Sequence, residues 1–361
     1  MGFNLRFIAG PKAFARIRDK GLDSDDVAVL AGASGAAKWL VLSHLDRVIF
    51  SSWLKDRQKP LFLIGTSIGA WRFAALSQDR PATAIAKLES AYINQRYSNN
   101  PSPADITRES VRILDCFLDD ARIGQVLAHP FCRLSLLAVR CRKLTGSGHP
   151  AVLVAGLALA AVTNAVSRKF LKLFFERALF FDPRNRPPFI SMNQFPICRV
   201  ALDKHNIKAA ILASGSIPLL MQGITDISGA PEGMYRDGGV IDYHLDLPFL
   251  KKSDKIVLFP HFKDTVIPGW FDKKLFWRKP CRSHMDNVLL VTPSREFIAR
   301  LPYGRIPDRK DFTRFRGRDD QRIDYWNQVV KMCECLGHEF METVGTGAIR
   351  HRVEPMRGIV L

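Results

Sequence analysis

The sequence lacks the cysteine patterns of a disulfide framework or a zinc site. Its seven cysteines are an odd number and include no Cys-x-x-Cys pair. Cys333 and Cys335 have the wrong spacing for a zinc knuckle, and no second pair completes one. The sequence also has no calcium loop of the Asp-x-Asp-x-Asp-Gly kind. We therefore expect reduced thiols in a cytosolic protein, with no metal ion and no cofactor.

Long apolar segments are also missing. The first residues contain no apolar stretch of signal-peptide length, which predicts a cytoplasmic protein. The most apolar run, residues 151–166, is shorter than the roughly 20 residues that a membrane span needs, and it carries Thr163 and Asn164 near its end. We therefore expect 151–166 to form a buried helix.

Acidic residues are scarce relative to basic ones. The chain has 53 Lys and Arg against 35 Asp and Glu, a formal net charge of +18. A charge this large favours anionic partners, either nucleic acid or a membrane surface rich in anionic lipid. Basic segments with interleaved aromatics occur at 273–279 and 310–318, but no helix-turn-helix, zinc-finger or RNP pattern accompanies them. We predict an anionic membrane surface as partner and no nucleic acid; a solvated basic face is the alternative.

The first hundred residues alternate between strand and helix patterns. Apolar runs at 26–33 and 60–66 predict buried strands. Helical spacing follows each of them, over 36–50 and from Ser67 to Leu76, and 81–96 predicts a further helix. This alternation with short connections predicts an α/β fold with parallel strands.

The middle of the chain is predicted to be helical. Residues 105–145 have an amphipathic helical pattern. Residues 167–181, SRKFLKLFFERALFF, alternate basic residues with phenylalanine and leucine, which is typical of a helix in a membrane interface. The same segment fits a lid packed over a site. The proline-rich stretch 183–188 then ends this region.

Strand patterns return after the prolines. Apolar runs at 256–262 and 288–293 predict strands, while 195–203 and 208–214 fit strand or strand–helix segments. Residues 319–343 predict a terminal amphipathic helix, because apolar residues recur in it at helical spacing.

The candidate nucleophile is Ser67, in the Gly65-Thr-Ser-Ile-Gly69 stretch between a strand and a helix. This context fits a nucleophile elbow, in which the serine occupies a strained turn and the glycines avoid clashes with the neighbouring strand and helix. The N-terminal dipole of the helix would stabilise an alkoxide or oxyanion. A simple glycine-flanked turn is the alternative. None of the nine histidines is marked as a base, although His261 is the best placed.

A carboxylate on a glycine turn is a better marked partner for the serine. Asp237 precedes Gly238 and Gly239, and the block ILASGSIP at 211–218 lies upstream. Taken in order, Gly-x-Ser-x-Gly, Ala-Ser-x-x-x-Pro and Asp-Gly-Gly resemble the patatin-like phospholipases. The resemblance covers about 26–100 and 195–262.

The resemblance implies a fold and a mechanism. The fold would be a three-layer patatin-like sandwich with a central, mostly parallel sheet flanked by helices. A single domain, 1–361, would comprise a core at about 26–100 and 195–300, a helical cap insertion at 101–190 and a basic helical extension at 301–361. A Ser67–Asp237 dyad would replace a triad: the aspartate accepts the serine proton, and an acyl-enzyme forms and is hydrolysed.

The resemblance also implies an oxyanion hole near the first strand, where the family carries Gly-Gly-x-Arg/Lys-Gly. The matching stretch here is Ala31–Trp39, with alanines and a serine in place of some glycines and a tryptophan where a final glycine stands. The residues predicted to form the hole are Gly32, Ala33, Ser34, Gly35 and Lys38. Backbone N–H groups would do the stabilising, so alanine can replace glycine where its backbone angles permit. A strand-to-helix turn with a surface lysine is the alternative.

The expected function is that of a lipid acyl hydrolase of the phospholipase A or lysophospholipase type, a carboxylic ester hydrolase (EC 3.1.1). The protein would attach peripherally to an anionic membrane, and lipid would reach the dyad under residues 151–181. Two alternatives remain: a catalytically impaired, membrane-binding or regulatory protein, and a soluble esterase or thioesterase for small acyl groups.

Overall fold

A computed structural model describes residues 2–251 and 253–356 of the chain. In these two ranges, ten strands form one sheet. They are β1 (Leu5–Ala9), β2 (Val27–Gly32), β3 (Leu61–Thr66), β4 (Cys132–Cys141), β5 (Phe175–Phe181), β6 (Ile197–Ala201), β7 (Tyr235–Asp237), β8 (Ile256–Pro260), β9 (Val288–Pro293) and β10 (Val353–Pro355). Their order across the sheet is β10-β1-β9-β8-β2-β3-β4-β5-β6, and β7 pairs with β4.

Helices connect and cover these strands. The α-helices are α1 (Pro11–Lys20), α2 (Ser43–Val48), α3 (Ile68–Leu76), α4 (Pro81–Ile93), α5 (Pro103–Phe117), α6 (Asp120–Ala128), α7 (Pro150–Val166), α8 (Ile207–Gly215), α9 (Gly239–Asp242), α10 (Arg282–Met285), α11 (Arg295–Arg300), α12 (Asp311–Arg314), α13 (Asp319–Met332), α14 (Glu334–Gly345) and α15 (Ile349–Arg352). Shorter 3-10 helices lie at Ser24–Asp26, Ala36–Leu42, Lys143–Gly146, Arg168–Leu173, Trp270–Lys274 and Pro302–Gly304, and a π-helical turn lies at Ile49–Trp53.

The centre of the sheet is parallel and buried. Strands β3, β2, β8 and β9 run parallel to one another, as does β4 alongside β3. Antiparallel pairing occurs at β1 with β9, and at β5 and β7 with β4. Every residue of β8 and β9 is buried, as expected where helices cover both faces of a parallel sheet. The predicted α/β fold with a mostly parallel sheet flanked by helices is confirmed.

Two strands lie where the sequence predicted helices. Strand β4 falls within 105–145, and the segment 167–181 is a 3-10 helix followed by β5. The prediction of one amphipathic helix over 167–181 is wrong because its second half is a buried strand whose charges, Glu176 and Arg177, are paired within the fold. Arg177 is fully buried and makes a two-bond contact with Asp242, at 2.7 Å for each bond. A charge in a sequence is therefore no evidence of a solvent-exposed face when the fold supplies its partner.

The ends of the chain belong to the sheet. Strand β1, which the sequence did not predict, pairs with β9, and β10 pairs with β1 at the sheet edge. Strands β4 and β5 come from the region predicted as a helical cap, so the sheet does not follow the predicted bounds of cap, core and extension. The terminal helix predicted over 319–343 divides into α13 and α14, and 208–214 is the helix α8.

Helix α7 covers a small core at one end of β4 and β5. Leu153, Leu157 and Ala160 are buried and pack with Phe174 and Phe175. Its other side is exposed, so the predicted buried helix is only half buried. Across 2–251 and 253–356, the structure contains no helix whose length and apolar character would let it cross a bilayer.

Candidate active site

Ser67 lies on the turn between β3 and α3 in a strained conformation. Its φ of 54° and ψ of −129° fall in a region that non-glycine residues rarely occupy. A side chain at Gly65 would come within 2.5 Å of the Ala70 backbone nitrogen, and one at Gly69 would collide with the carbonyl of Gly32. The two glycines therefore allow α3 to approach β2 and β3 closely, which fixes the turn that presents Ser67.

The sheet register brings Ser67 to Asp237. Strand β3 pairs with β4 as far as Thr66 opposite Leu137, and β7 continues along the same strand with Asp237 opposite Ala138. Because β3 and β7 run in opposite directions along β4, their last residues meet end to end. The Ser67 hydroxyl donates a hydrogen bond to Asp237 Oδ2 at 2.8 Å.

Asp237 is held by its own glycine turn. The backbone N–H of Gly239 donates to Asp237 Oδ1 at 2.7 Å, and the N–H of Asp237 donates to the carbonyl of Ser216 at 3.0 Å. Ser67 and Asp237 are only 6% and 7% exposed. Burial raises the pKa of Asp237 to about 6, although the bonds from Gly239 and Ser67 oppose this shift. The carboxylate is therefore more basic than an exposed aspartate and still ionised at neutral pH.

The block at 211–218 braces the turn. The backbone N–H of Ser67 donates to Ser214 Oγ at 2.9 Å, and that hydroxyl donates to the Leu137 carbonyl at 2.7 Å. Ser214 thus links the serine turn to β4, the strand with which both β3 and β7 pair. A side chain at Gly238 would collide with the same Leu137 carbonyl, which explains the glycine at that position.

The predicted oxyanion residues divide into two groups. Ser34, Gly35 and Lys38 line a cavity together with Ser67 and Asp237. Gly32 and Ala33 do not line it: both are buried, and Gly32 ends β2 beneath α3. Their assignment to the hole is therefore not supported by their position.

Ala36 is a site residue that the sequence interpretation missed. It lines the cavities on both sides of Ser67 and has a positive φ of 48°. Within 2–251 and 253–356, neither the Gly35 N–H nor the Ala36 N–H has a hydrogen-bond acceptor. Two unused N–H groups beside a candidate nucleophile are what an oxyanion hole requires. The only sequence signal was the glycine next to the alanine.

No histidine takes part in the Ser67–Asp237 contact. Nδ1 of His261 lies 2.6 Å from the Lys263 carbonyl oxygen and 3.0 Å from the Lys263 nitrogen, and burial of the ring lowers its pKa to about 4. His244 lines the cavity, and burial places its pKa well below the ordinary value. Both imidazoles are therefore neutral in the fold.

Two cavities meet at Ser67. The larger, cavity 1, has a volume of about 590 Å³. Its walls are mainly apolar and aromatic, and include Ile68, Trp71, Tyr92, Tyr97, Ile106, Ile113, Ile217, Leu220, Met221 and Phe312. The smaller, cavity 2, measures about 340 Å³ and contains both Ser67 and Asp237. The nucleophile candidate therefore stands between two recesses, of which the smaller one carries more charged side chains.

The walls of these cavities do not come from residues 151–181. Neither cavity has a lining residue from that range, so the cavity walls do not support the expectation that lipid reaches the dyad under it. Residues 308–319 of the predicted C-terminal extension line the cavities instead, among them Asp308, Arg309 and Phe312. The sequence could not indicate this, because about 240 residues separate Ser67 from that segment.

A strained serine between a parallel strand and a helix, bonded to a buried aspartate, is typical of a hydrolase. The family model for patatin-like phospholipase matches residues 31–244. The chain belongs to the patatin-like phospholipase family. Members of this family are lipid acyl hydrolases.

The chain is also similar to a solved structure, at low sequence identity. VipD from Legionella pneumophila is a similar solved structure, with 11% identity and a TM-score of 0.32. The similarity covers 71% of this chain and 53% of that one, so the match spans about half the length of VipD. No curated protein matches the chain.

Proposed function

We propose that the protein hydrolyses carboxylic esters of lipids through a Ser67–Asp237 dyad. The observation that carries the proposal is the 2.8 Å hydrogen bond from Ser67 to Asp237 on a strained turn. Asp237 takes the hydroxyl proton while Ser67 Oγ attacks the ester carbonyl carbon. The tetrahedral intermediate collapses as Asp237 returns the proton to the leaving alcohol, and an acyl-enzyme remains. Water then attacks the acyl carbon while Asp237 accepts its proton. The bond to Ser67 Oγ breaks, Asp237 returns the proton to that oxygen, and the fatty acid is released.

The oxyanion formed in both steps is placed beside the N–H groups of Gly35 and Ala36. Each such donor contributes roughly 3 kcal/mol to the transition state in a well-formed hole. The positive φ of Ala36 supports this role, since a strained non-glycine residue is commonly retained where the backbone must point a group at a ligand.

The acyl chain is assigned to cavity 1. A volume of about 590 Å³ with mainly apolar walls suits a long hydrocarbon chain. This favours a phospholipase A or lysophospholipase type of substrate over small acyl groups. Hydrolysis of p-nitrophenyl esters with acyl chains of about two to sixteen carbons tests the assignment. The kcat/KM for hydrolysis should rise with chain length. A preference for acetate would support the small-acyl esterase instead, and inertness towards every ester and phospholipid would leave only the non-catalytic alternative.

Activity should fall in acid as Asp237 is protonated. Its pKa is raised to about 6, so the base is lost as pH falls through that value. We expect kcat/KM to have an acid limb near pH 6 and to drop about tenfold per pH unit below it. A limb near pH 4, the ordinary range of aspartate, would contradict the buried base.

Lys273 tests whether a nearby charge sets the position of that acid limb, and its neighbour Lys274 is the control. Its charge helps to lower the pKa of Asp237, so Lys273→Met should move the acid limb upward. Lys274, its exposed neighbour, lines neither cavity, and Lys274→Met should leave the limb in place. Equal shifts in both variants would mean that surface charge in general sets the profile.

A membrane-docking surface is proposed around α7. The α7 patch consists of the exposed residues Val162, Val166, Phe170, Leu173, Phe276 and Trp277, with Lys169, Lys172, Lys274 and Lys279 exposed among them. Val166 is 77% exposed and Phe276 is 83% exposed. Arg278 ties the second segment to the helix by donating to the Asn164 carbonyl at 2.7 Å. Apolar side chains ringed by lysines match an anionic bilayer surface.

The patch adjoins the mouth of cavity 2. Trp270 and Lys273 line that cavity, and Phe276 and Trp277 follow a few residues later. Insertion of the patch would therefore bring the cavity towards the lipid head groups.

The double variant Val166→Glu/Phe170→Glu should weaken binding to anionic vesicles about tenfold or more, because it replaces two exposed apolar groups with carboxylates. Co-sedimentation with anionic and neutral vesicles, at low and high salt, measures this. Met332→Glu on α13 is the matched control, being exposed but outside the patch. Unchanged binding by the double variant, or binding that ignores both salt and lipid charge, would remove the membrane proposal.

A further inference from the structure

Cavity 2 carries an excess of positive charge beside the candidate dyad. Five cationic side chains line it, namely Lys38, Lys263, Lys273, Arg309 and Lys310, against the carboxylates of Asp237 and Asp308. Lys38 forms an ion pair with Asp308. Within 2–251 and 253–356, none of the other four cations has a carboxylate partner. Surface cations in a folded protein commonly lie near carboxylates, so this group is available to an incoming anion.

Two buried polar groups in the wall of cavity 2 also have atoms without a partner among the described residues. The hydroxyl of Ser34 is buried and has no hydrogen-bond partner there. His244 is 1% exposed; its Nδ1 lies 3.1 Å from the Ile267 backbone nitrogen and 3.3 Å from the Thr265 carbonyl oxygen, while its Nε2 has no partner within the described part of the chain. A buried hydroxyl is costly when unpaired, and a bound acceptor would satisfy that of Ser34.

The cations come from three separate parts of the chain. Lys38 follows β2, Lys263 and Lys273 follow β8, and Arg309 and Lys310 precede α12. Four of the five are lysines, which act as point charges and do not form the planar fork with which arginine binds a carboxylate. Charges from several directions suit a tetrahedral anion with several acceptor oxygens.

We propose that cavity 2 recognises a phosphate group on the leaving alcohol of the substrate, with Lys273 and Arg309 as its specificity-determining residues. This rests on the proposed ester hydrolysis, and it assigns the two sides of Ser67 to the two parts of one lipid. The acyl chain enters cavity 1, and the phosphorylated glycerol enters cavity 2. Arg309 lines both cavities and so lies near their junction. Neutral glycerides would lack the interaction.

A matched pair of substrates tests this assignment. Lysophosphatidic acid and monoacylglycerol with the same short acyl chain differ only in the phosphate, and both are used below their micelle concentrations so that vesicle binding plays no part. Wild type should favour the phosphorylated ester by about tenfold or more in kcat/KM, since each unscreened charge contact with the substrate raises kcat/KM several-fold. Lys273→Met/Arg309→Met should reduce that ratio about tenfold, and Lys331→Met, at an exposed lysine outside both cavities and the α7 patch, should keep it. All rates are measured at pH 7, above the acid limb of Asp237 near pH 6 and below the pKa of Lys273, which burial lowers to about 8.

Inorganic phosphate supplies an independent readout. It should inhibit wild-type hydrolysis of monoacylglycerol competitively and lose this effect in the double variant. Equal rates on the two lipids would overturn the assignment while leaving ester hydrolysis intact. Inhibition by phosphate without a preference for the phosphorylated lipid would mean that the cavity binds free phosphate only, which also overturns it. If neither lipid is hydrolysed, the proposed function fails, and phosphate binding by calorimetry to wild type and the double variant still decides whether the cavity takes the anion.

Discussion

Replacement of Ser67 with alanine should lower kcat for ester hydrolysis by about 10⁵-fold, because no acyl-enzyme can form without the hydroxyl. The variant should remain folded. The serine side chain donates only to Asp237, and its backbone bond to Ser214 is unchanged by the substitution. Fatty-acid release measured by titration, together with a thermal unfolding curve, separates lost chemistry from lost stability.

Asp237→Asn should also lower kcat for ester hydrolysis, by about 10³- to 10⁴-fold, because an amide cannot accept the serine proton. The substitution preserves the size of the side chain and can keep an acceptor for the N–H of Gly239. Combining it with Ser67→Ala should cost little beyond the serine substitution alone, since residues that act as a unit are not additive.

Ser216→Ala is the matched control. Its hydroxyl donates to the Leu212 carbonyl at 2.8 Å and lines neither cavity, so activity should stay within about threefold of wild type. Substantial activity in both Ser67→Ala and Asp237→Asn would refute the dyad and require another nucleophile.

The largest expected effect on folding comes from Gly69→Ala, which should lower the free energy of unfolding by about 3 kcal/mol or more. The new methyl group would collide with the carbonyl of Gly32. This clash with the backbone of β2 can be relieved only if α3 separates from β2. That movement would also displace the turn at Ser67, so activity should fall together with stability. Urea unfolding followed by circular dichroism measures the first effect and ester hydrolysis the second.

Gly124→Ala on α6 separates this clash from the general effect of alanine in a helix. Nothing lies within 4 Å of the added methyl group at Gly124. Alanine should therefore stabilise that helix, by up to about 1 kcal/mol. If Gly69→Ala were as harmless as Gly124→Ala, the close approach of α3 to β2 would not be what positions the serine.

Local patterns predicted the centre of the fold well. Strands β2, β3, β8 and β9 are near-continuous apolar runs, which is how buried parallel strands differ from other segments. Three motifs in order also pointed to the family that is now established. The catalytic roles of Ser67 and Asp237 stay predictions, although their side chains make the contact that those roles require.

Prediction failed where the partner of a residue is distant in the chain. The charges in 167–181 suggested an exposed helix face, but Arg177 pairs with Asp242, and Glu176 pairs with Arg140 at 2.7 Å. Periodicity cannot distinguish a solvated charge from one that is neutralised across a sheet. The edge strand β10 and its neighbour β1 were missed for a related reason: their partners are distant in the chain, and only their pairing makes them strands.

The sequence by itself determined the strand-to-helix turn at Ser67, the glycine turn at Asp237 and the family, because these depend on local backbone requirements that glycine and apolar runs record. Only the tertiary structure decided how the site is assembled. The register of β3 and β7 on β4 joins Ser67 to Asp237, and burial raises the pKa of that aspartate to about 6. Folding also brings the segment around Arg309 over the serine, creating an apolar cavity on one side and a cationic one on the other. Distance and solvent exclusion are properties of the packed chain, and no local pattern encodes them.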